Sequence, residues 1–428
     1  MLTTQNTQNS NSRRRLQRSM AGLAALSLVA AACSSDDAAE DGVAEDDTAP
    51  ETVAESADPT VADEPVDSAA TEPDATEPEA PEPDATDAEP AEDAEPAGAI
   101  SEERCQANQD AGTVTWVTAF DYAAAAGIAE LIVADANGYF DELCIDIDIQ
   151  PGFAPSNGAL VIEGQAQMGM AGSFSELVAN NVAGEGDLVA LLHWGRTAVE
   201  EMVIPAGSDI TSFADLCGTT VGIKGDLPYS LQAAVALDGI ERGCFDEVLL
   251  DGFDPVQHLD LGLDALPVYK SNEPFQLDNA GVEYTTLDPL DFDVPASFGI
   301  PFTTQSFIDE HPDTVQDIVR VLIKGYQDAA ADPDATVAAA FELINAAGNP
   351  NFLAMESELN RWTVESGLIA DLAPADVGVG IPDLDLFGAE IDAMVAAGVF
   401  AETPDWMTMV DASIAESVYD GTELVYPA

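Results

Sequence analysis

An α/β fold is predicted for this chain by three observations. Between residues 113 and 287, short β-rich runs alternate with stretches of apolar helical spacing. After about residue 302 the pattern turns to helices alone. No self-similarity of the roughly 20–50-residue kind that marks repeat proteins is visible. Alternation of this sort argues for largely parallel sheets flanked by helices. The tail argues for a helical C-terminal region.

The elements follow in order. Residues 113–118 are β-rich, and 122–136 are Ala-rich with apolar helical spacing. Residues 145–149 alternate Ile with Asp, the period of a half-buried strand. A short helix over 158–163 and a short strand over 167–171 come next. Ser173 opens a helix over 174–181, with Glu176 as its capping-box partner. Residues 188–193 and then 201–205 read as strands. Residues 219–224 and 247–250 are strands around a helix over 229–237, and 265–269 and 282–287 add two more. In the tail, His311-Pro312 separates helices over 304–310 and 313–331, since Pro suits a first helical turn. Helices over 334–346, 352–368 and 385–396 complete the pattern.

Charge narrows the function. The 428 residues hold 80 Asp+Glu against 12 Lys+Arg, a formal net charge of −68. That balance offers no basic face to a phosphate backbone, so nucleic acid is excluded as a partner. A basic patch for an anionic bilayer is missing too. Residues 1–33 carry four Arg and no acid, and residues 34–100 carry 24 acids and no base. The remainder holds 56 acids and eight bases, so it is strongly acidic in its own right. Such a surface keeps a protein soluble and is common where salt screens self-repulsion.

The N-terminal segment reads as an export signal. Arg13, Arg14, Arg15 and Arg18 precede an apolar, small-residue run from 20 to 32, too short to cross a bilayer comfortably. The run ends in Ala30-Ala31-Ala32-Cys33, which resembles a bacterial lipobox with Ala30 where Leu is usual. Cys33 is the expected lipidation site, and the Arg-rich start also resembles a twin-arginine export motif. Residues 34–104 form an expected disordered tether. They are rich in Ala, Pro, Asp and Glu, and large apolar residues are almost absent. The domain plan is therefore a signal peptide over 1–33, the tether, and a folded body over 105–428.

Four cysteines remain in the body: Cys105, Cys144, Cys217 and Cys244. An even count in an exported chain points to two disulfides, and three pairings are possible. Cys105–Cys144 and Cys217–Cys244 are expected because each pair is nearest in sequence. No compact metal motif is present, and only His193, His258 and His311 are available as histidine ligands. No metal and no cofactor are expected. The chain carries no Gly-x-Gly-x-x-Gly turn, no Walker loop, no nucleophile elbow and no His-Glu-x-x-His.

Several short motifs recur together: Gly138-Tyr139-Phe140, Pro151-Gly152, the run 164–172 (GQAQMGMAG), the run 213–222 (FADLCGTTVG), the run 262–269 (GLDALPVY), and Asn272-Glu273-Pro274. In this order and spacing the body resembles the type II solute-binding proteins of ABC importers. Within them it resembles the group that binds nitrate, sulfonates, taurine and thiamine-pyrimidine precursors. The resemblance implies a periplasmic-binding-protein type II fold, two α/β lobes joined by two crossing strands, with a helical C-terminal region. Lobe 1 is expected at about 113–203 plus 298–428, and lobe 2 at about 204–297. The crossings are expected near 202–207 and 296–303. No catalysis is implied. The partners implied are a small-molecule solute and ABC permease subunits, with the membrane reached only through a lipid anchor. A monomer on the outer face of the cytoplasmic membrane is expected.

Ligand-binding residues follow from the loops at the strand ends. They are Trp116, Phe120, Asp121, Tyr122, Gly172, Ser173, His193, Trp194, Tyr229, Asn272 and Glu273. The aromatic residues would stack on a flat ring, although some are expected in the core. Asn272 and Glu273 resemble a motif of the thiamine-pyrimidine branch and would meet an aminopyrimidine edge; Glu273 could equally be a helix cap. The acidic body disfavours a small free anion. The expected ligand is thus a thiamine-pyrimidine precursor, with a flavin, or a sulfonate, taurine or nitrate, as the alternatives within the same fold. A pyrimidine-forming enzyme of the same fold is a further alternative. It is disfavoured because its Cys-rich cluster is absent.

Overall fold

The computed structural model describes residues 100–427. The expected signal peptide, Cys33 and nearly all of the expected tether lie outside the described residues. The body opens with a helix, α1 (Glu102–Asp110), capped by Ser101, whose hydroxyl accepts from the Arg104 N–H. The expected tether boundary at 104 therefore falls inside a helix. Arg104 holds that helix down by reaching Asp313 (2.5 Å) and Asp317 (2.7 Å). Cys105 is bonded to Cys144, 39 residues on.

The first lobe is built from β1 (Thr113–Val117), α2 (Ala129–Asn137), α3 (Tyr139–Glu142), β2 (Asp146–Gln150), α4 (Ala154–Ile162), β3 (Met168–Ala171), α5 (Phe174–Gly184) and β4 (Leu188–Ala190). Its strands pair in the order β2-β1-β3, all parallel. The second lobe holds β5 (Glu200–Pro205), β6 (Thr220–Ile223), α6 (Tyr229–Leu237), β7 (Asp246–Leu249), α7 (Pro255–Asp260), β8 (Leu266–Tyr269), α8 (Glu273–Ala280) and β9 (Tyr284–Leu287). Here β5 lies between β8 and β9, antiparallel to both, while β6 pairs with β7 in parallel. A bridge from Val221 to Ala265 joins the two sets. Then β10 (Ile300–Thr304) returns to the first sheet and slots antiparallel between β3 and β4.

The tail consists of α9 (Gln305–Glu310), α10 (Pro312–Ala331), α11 (Pro333–Ala346), α12 (Met355–Leu372), α13 (Leu384–Ala396), α14 (Ala412–Glu416) and a hairpin of β11 (Tyr419–Asp420) and β12 (Glu423–Leu424). The expected α/β architecture with a helical C-terminal region is the one observed.

Two segments join the lobes, one between β4 and β5 and one between β9 and β10. They pair with each other: Gly195 and Phe298 exchange both N–H···O bonds at 2.9 Å. Contact is so close that a Cβ on Gly195 would sit 1.8 Å from the Phe298 ring. Glycine is required there because two backbones cross. The first crossing thus lies upstream of the expected 202–207. Those residues fall largely in β5, where ladder partners on both sides fix them inside the second sheet.

A second departure concerns residues 122–128. Their Ala-rich spacing predicts the first half of a helix, but the helix starts only at Ala129. The N–H of Ala124 donates to Glu358 (2.8 Å) and that of Ala126 to Glu365 (2.7 Å). Both carboxylates stand on one face of α12, seven residues apart. Tertiary acceptors outcompete the helical carbonyls, so local propensity is overridden.

The first-lobe core gathers Trp116, Met168, Leu191, Trp194, Ile318, Leu322 and Trp362, all essentially inaccessible. A second core runs from the first lobe into the second through Phe174, Leu177, Leu231, Val235, Phe387 and Ile391. Helix α13 supplies the last two, so the tail packs against both lobes. Among the described residues no helix is long and apolar enough to cross a membrane.

Cys217 and Cys244, the other expected pair, are free thiols in the structure, and the neighbouring Cys217 pushes the Cys244 thiol up to about 11. The Cys105–Cys144 link closes a loop spanning 39 residues. Chain entropy then gives it about 4 kcal/mol. Replacing both by Ala should lower the unfolding free energy by about that amount in denaturant titration. A loss below about 1 kcal/mol would show that the non-covalent contacts of Arg104 and Asn108 suffice to hold α1.

Candidate functional site

The lobes face each other across loops at the ends of β1, β3, β6, β7 and β8, where open α/β sheets place ligand sites. Phe120 of the first lobe meets Phe253 of the second edge-to-face, with centroids 6.3 Å apart. Phe253 is 61% exposed and Phe153, bridged to Phe120, is 57% exposed, so aromatic faces are presented at the mouth. Deeper in, Tyr229 starts α6 and Tyr269 ends β8.

Helix α12 latches one side. Ser271 Oγ donates to Glu365 (2.7 Å), Asn360 donates to the Ser271 carbonyl (2.9 Å), and Arg361 reaches Asn272 Oδ1 (3.2 Å). Lobe 2 is thereby tied to the helical tail of lobe 1 through the loop between β8 and α8.

The electrostatics of this site are one-sided. Among the described residues, every Lys and Arg is in an ion pair with an internal carboxylate. Arg196 lies 3.6 Å from Asp383, Lys224 2.6 Å from Glu273, Lys270 2.7 Å from Asp288 and Arg361 3.1 Å from Glu358. Arg104, Arg242, Arg320 and Lys324 are paired likewise. Backbone donors at the start of α5 are also taken. Gly172 N–H donates to Glu176 (2.8 Å), Ser175 N–H to Glu390 (2.8 Å) and Phe174 N–H to Ser297 Oγ (2.9 Å). Helix N-termini ordinarily attract anions. At α5 the protein's own carboxylates and a hydroxyl already occupy the start, whereas no side chain caps the start of α6.

The expected site residues divide accordingly. Phe120, Gly172, Ser173 and Tyr229 stand at the cleft. Ser173 caps α5 by accepting from Glu176 N–H (3.2 Å). Trp116 shares a strand face with Val114 and points into the first-lobe core. Trp194 is wholly buried and stacks on Tyr326 at 5.1 Å. Tyr122 is buried, with its hydroxyl on the Ile149 carbonyl (3.3 Å). Asp121 adopts a φ of 47° and accepts from Asn351 (3.1 Å), pinning the loop before α12.

His193 is sealed in the crossing. Its Nε2 lies 2.8 Å from the Gly195 carbonyl, and its ring packs on Phe387. Burial, and then the Arg196 guanidinium, push the imidazole down to about 3, so it stays neutral. Asn272 is engaged by Gln276 and Arg361. Glu273 divides its oxygens between Lys224 and the Tyr269 N–H (2.9 Å). The expected helix-cap role is not the one observed: no side chain caps the start of α8.

Sequence reasoning missed Phe253, Glu176 and Glu200 as cleft residues, and Glu358, Arg361 and Glu365 as the latch. The latch had a signal: three charged residues at helical spacing on one face. The carboxylates did not stand out among so many. Among the described residues no group of three or more His, Cys, Asp or Glu is arranged to hold a metal ion.

Burial shifts several of these acids. It pushes Glu130, beside Trp194 at the crossing, up to about 8, and Glu176 and Glu390 up to about 7. A carboxyl raised in the folded state keeps its proton there and loses it in the unfolded chain. Its contribution is full below the unfolded value near 4.5 and is lost as pH rises through the folded one. His193 acts in the opposite sense, but only below about 6.5, its unfolded value. Between about pH 6.5 and 8.5 unfolding free energy should therefore fall, by ~2 kcal/mol from Glu130 alone. Glu130→Gln should flatten that fall in denaturant titrations; an unchanged slope would contradict it.

Comparison with known proteins follows the same geometry. Residues 125–336 match the family model described as NMT1/THI5 like. A riboflavin-binding protein, RibY, of Chloroflexus aurantiacus is 27% identical over 209 residues, 46% of this chain and 56% of that protein. A formylaminopyrimidine-binding protein of Halalkalibacterium halodurans is 25% identical over 209 residues, 48% of this chain and 63% of that protein. The match thus spans under two thirds of either relative's length. Among solved structures, the aliphatic sulphonate binding protein SsuA of Escherichia coli superposes with a TM-score of 0.53 at 12% identity. It covers 74% of this chain and 94% of its own. The alkanesulfonate-binding SsuA of Xanthomonas axonopodis gives 0.52 at 14% identity, covering 70% and 98%. These structural likenesses are ones of fold. With its two crossed lobes, the chain has the periplasmic-binding-protein type II fold of the SsuA structures, and residues 125–336 resemble the NMT1/THI5-like family.

Proposed function

We propose that the chain captures an uncharged or weakly basic aromatic heterocycle, with a flavin ring the first candidate, by closing its two lobes. The observation that carries this reading is the commitment of all eight bases to internal carboxylates. With the N–H groups at the start of α5 taken as well, a sulfonate or nitrate would enter an acidic cleft without a free counter-charge. A ring can instead lie against Phe120, Phe253 and the tyrosines, where stacking needs no charge. The riboflavin-binding relative supports the flavin. A formylaminopyrimidine is the second reading, supported by the other relative.

On this reading the ligand stabilises the closed arrangement, in which the β8–α8 loop rests on α12. The crossings at Gly195 and Phe298 are the hinge. The protein would hand its cargo to ABC permease subunits. It would work outside the cytoplasmic membrane as a monomer, tethered through a lipid at Cys33, and it would perform no chemistry on the cargo.

Thermal unfolding of the purified chain in high salt tests the reading against riboflavin, aminopyrimidines, thiamine, taurine, alkanesulfonates and nitrate. A ligand at 100 times its Kd should add ~2.7 kcal/mol to stability. Riboflavin should shift the transition and the anions should not. A shift with an alkanesulfonate alone would sink the heterocycle reading and show that one of the ion pairs opens.

A further inference from the structure

The bonding of the Glu176 carboxyl is half complete. As third residue of α5 it serves the helix start: Ser173 Oγ accepts from its N–H, and its Oε2 accepts from Gly172 N–H. The expected capping box would send that oxygen to the Ser173 N–H; the structure reaches one residue further back. A cap needs one carboxylate oxygen. The other, Oε1, is closed off from solvent and has no hydrogen-bond partner.

What surrounds Glu176 comes from the opposite lobe. Glu200 at the start of β5, Tyr229 at the start of α6 and Tyr269 at the end of β8 are its electrostatic neighbours. Glu200 is half-buried and accepts from Ser230 Oγ (2.9 Å). The nearest cations, Lys224 and Lys270, are held by Glu273 and Asp288. The Glu176 and Glu200 carboxyls thus interact across the lobes, and among the described residues neither is in an ion pair with a cation, although the Lys270 charge is felt at Glu200. A buried acceptor left without a donor is costly, and so is a pair of like charges. A ligand that brings N–H donors removes both costs at once.

We propose that Glu176 is a specificity-determining residue of the cleft: with Glu200 opposite, it accepts a hydrogen bond from a ring N–H or exocyclic amine of the bound heterocycle. The inference rests on the heterocycle-binding reading. A flavin offers the N3–H between its two carbonyls, and an aminopyrimidine offers its amine. A sulfonate offers no donor and would add a further negative charge. This acceptor takes the part first expected of Glu273, which is engaged within its own lobe.

A pH signature accompanies the proposal. Burial holds the free Glu176 carboxyl up to about 7; the Gly172 N–H opposes this, and the Glu200 charge adds to it. A ligand N–H favours the ionised form. Affinity should thus rise as pH passes about 7 and level off above. The other titratable groups facing Glu176 are Glu200, raised by burial, and the phenols of Tyr229 and Tyr269, raised and so neutral in this range. Asp226 lies behind Tyr229, and Glu390 of α13 behind Glu200.

The test is riboflavin and N3-methylriboflavin titrated into the full chain, wild type and Glu176→Gln, with flavin fluorescence and the thermal transition as readouts. Glutamine keeps an oxygen for the Gly172 N–H, so the cap and the midpoint of unfolding should survive. Wild type should prefer riboflavin by at least about ten-fold, and Glu176→Gln should lose both that preference and the pH dependence. Wild-type affinity and pH profile in Glu176→Gln would overturn the inference and leave the heterocycle reading standing. Binding of neither flavin by wild type would overturn both the inference as drawn for a flavin and the flavin reading itself, leaving the formylaminopyrimidine reading. Should Glu176→Gln fail to fold, equal wild-type affinities for the two flavins would be the contradicting result, and Glu200→Gln would supply the second variant.

Discussion

Scarcity of positive charge governs this structure. Eight bases serve 56 acids in the body, and each base is committed to a carboxylate that some element needs. Arg104 fixes the first helix to α10, and Arg320 shares Asp317 with it. Lys224 and Lys270 brace the second lobe. Arg361 holds Glu358 in place to accept the Ala124 N–H, so the loop after β1 depends on it indirectly. With the bases so placed, the remaining buried carboxylates must find other donors. They take backbone N–H groups at helix starts, and where those run out they keep their protons.

That arrangement turns a fold shared with anion binders into a different kind of cleft. The usual resources for an anion are a free guanidinium, a free ammonium or a set of open N–H groups at a helix start. Here Glu176, Glu358, Glu365 and Glu390 take N–H groups of the first lobe. The cleft keeps aromatic surface, an unused carboxylate oxygen and the uncapped start of α6. The chemistry left to a ligand is stacking and the donation of protons to acceptors. Both suit a flat heterocycle edged with N–H groups.

Much of the fold was legible because strand and helix periods differ, and the alternation over 113–287 is regular. Strands such as β2 stood out by Ile alternating with Asp. The failures have identifiable causes. Residues 122–128 have helical composition, but acceptors from α12, more than 230 positions away, claim the N–H groups of Ala124 and Ala126. The first crossing was placed too late because apolar residues 201–205 look alike whether they bridge lobes or sit in a sheet; only ladder partners decide. Trp116 and Trp194 were read toward the cleft because a residue near a strand end can face either side, and the sequence does not show which. Within the site, aromatic enrichment pointed to Phe120 and Tyr229. Nothing in a chain with 80 acids marks the few carboxylates that matter.

The most direct check of this account is a crystal structure of the chain grown with riboflavin. All eight ion pairs should remain intact, and the ring should lie between the lobes against Phe120 and Phe253 with no Lys or Arg in contact. A ligand held by Arg196, Lys224 or Arg361, released from Asp383, Glu273 or Glu358, would contradict it.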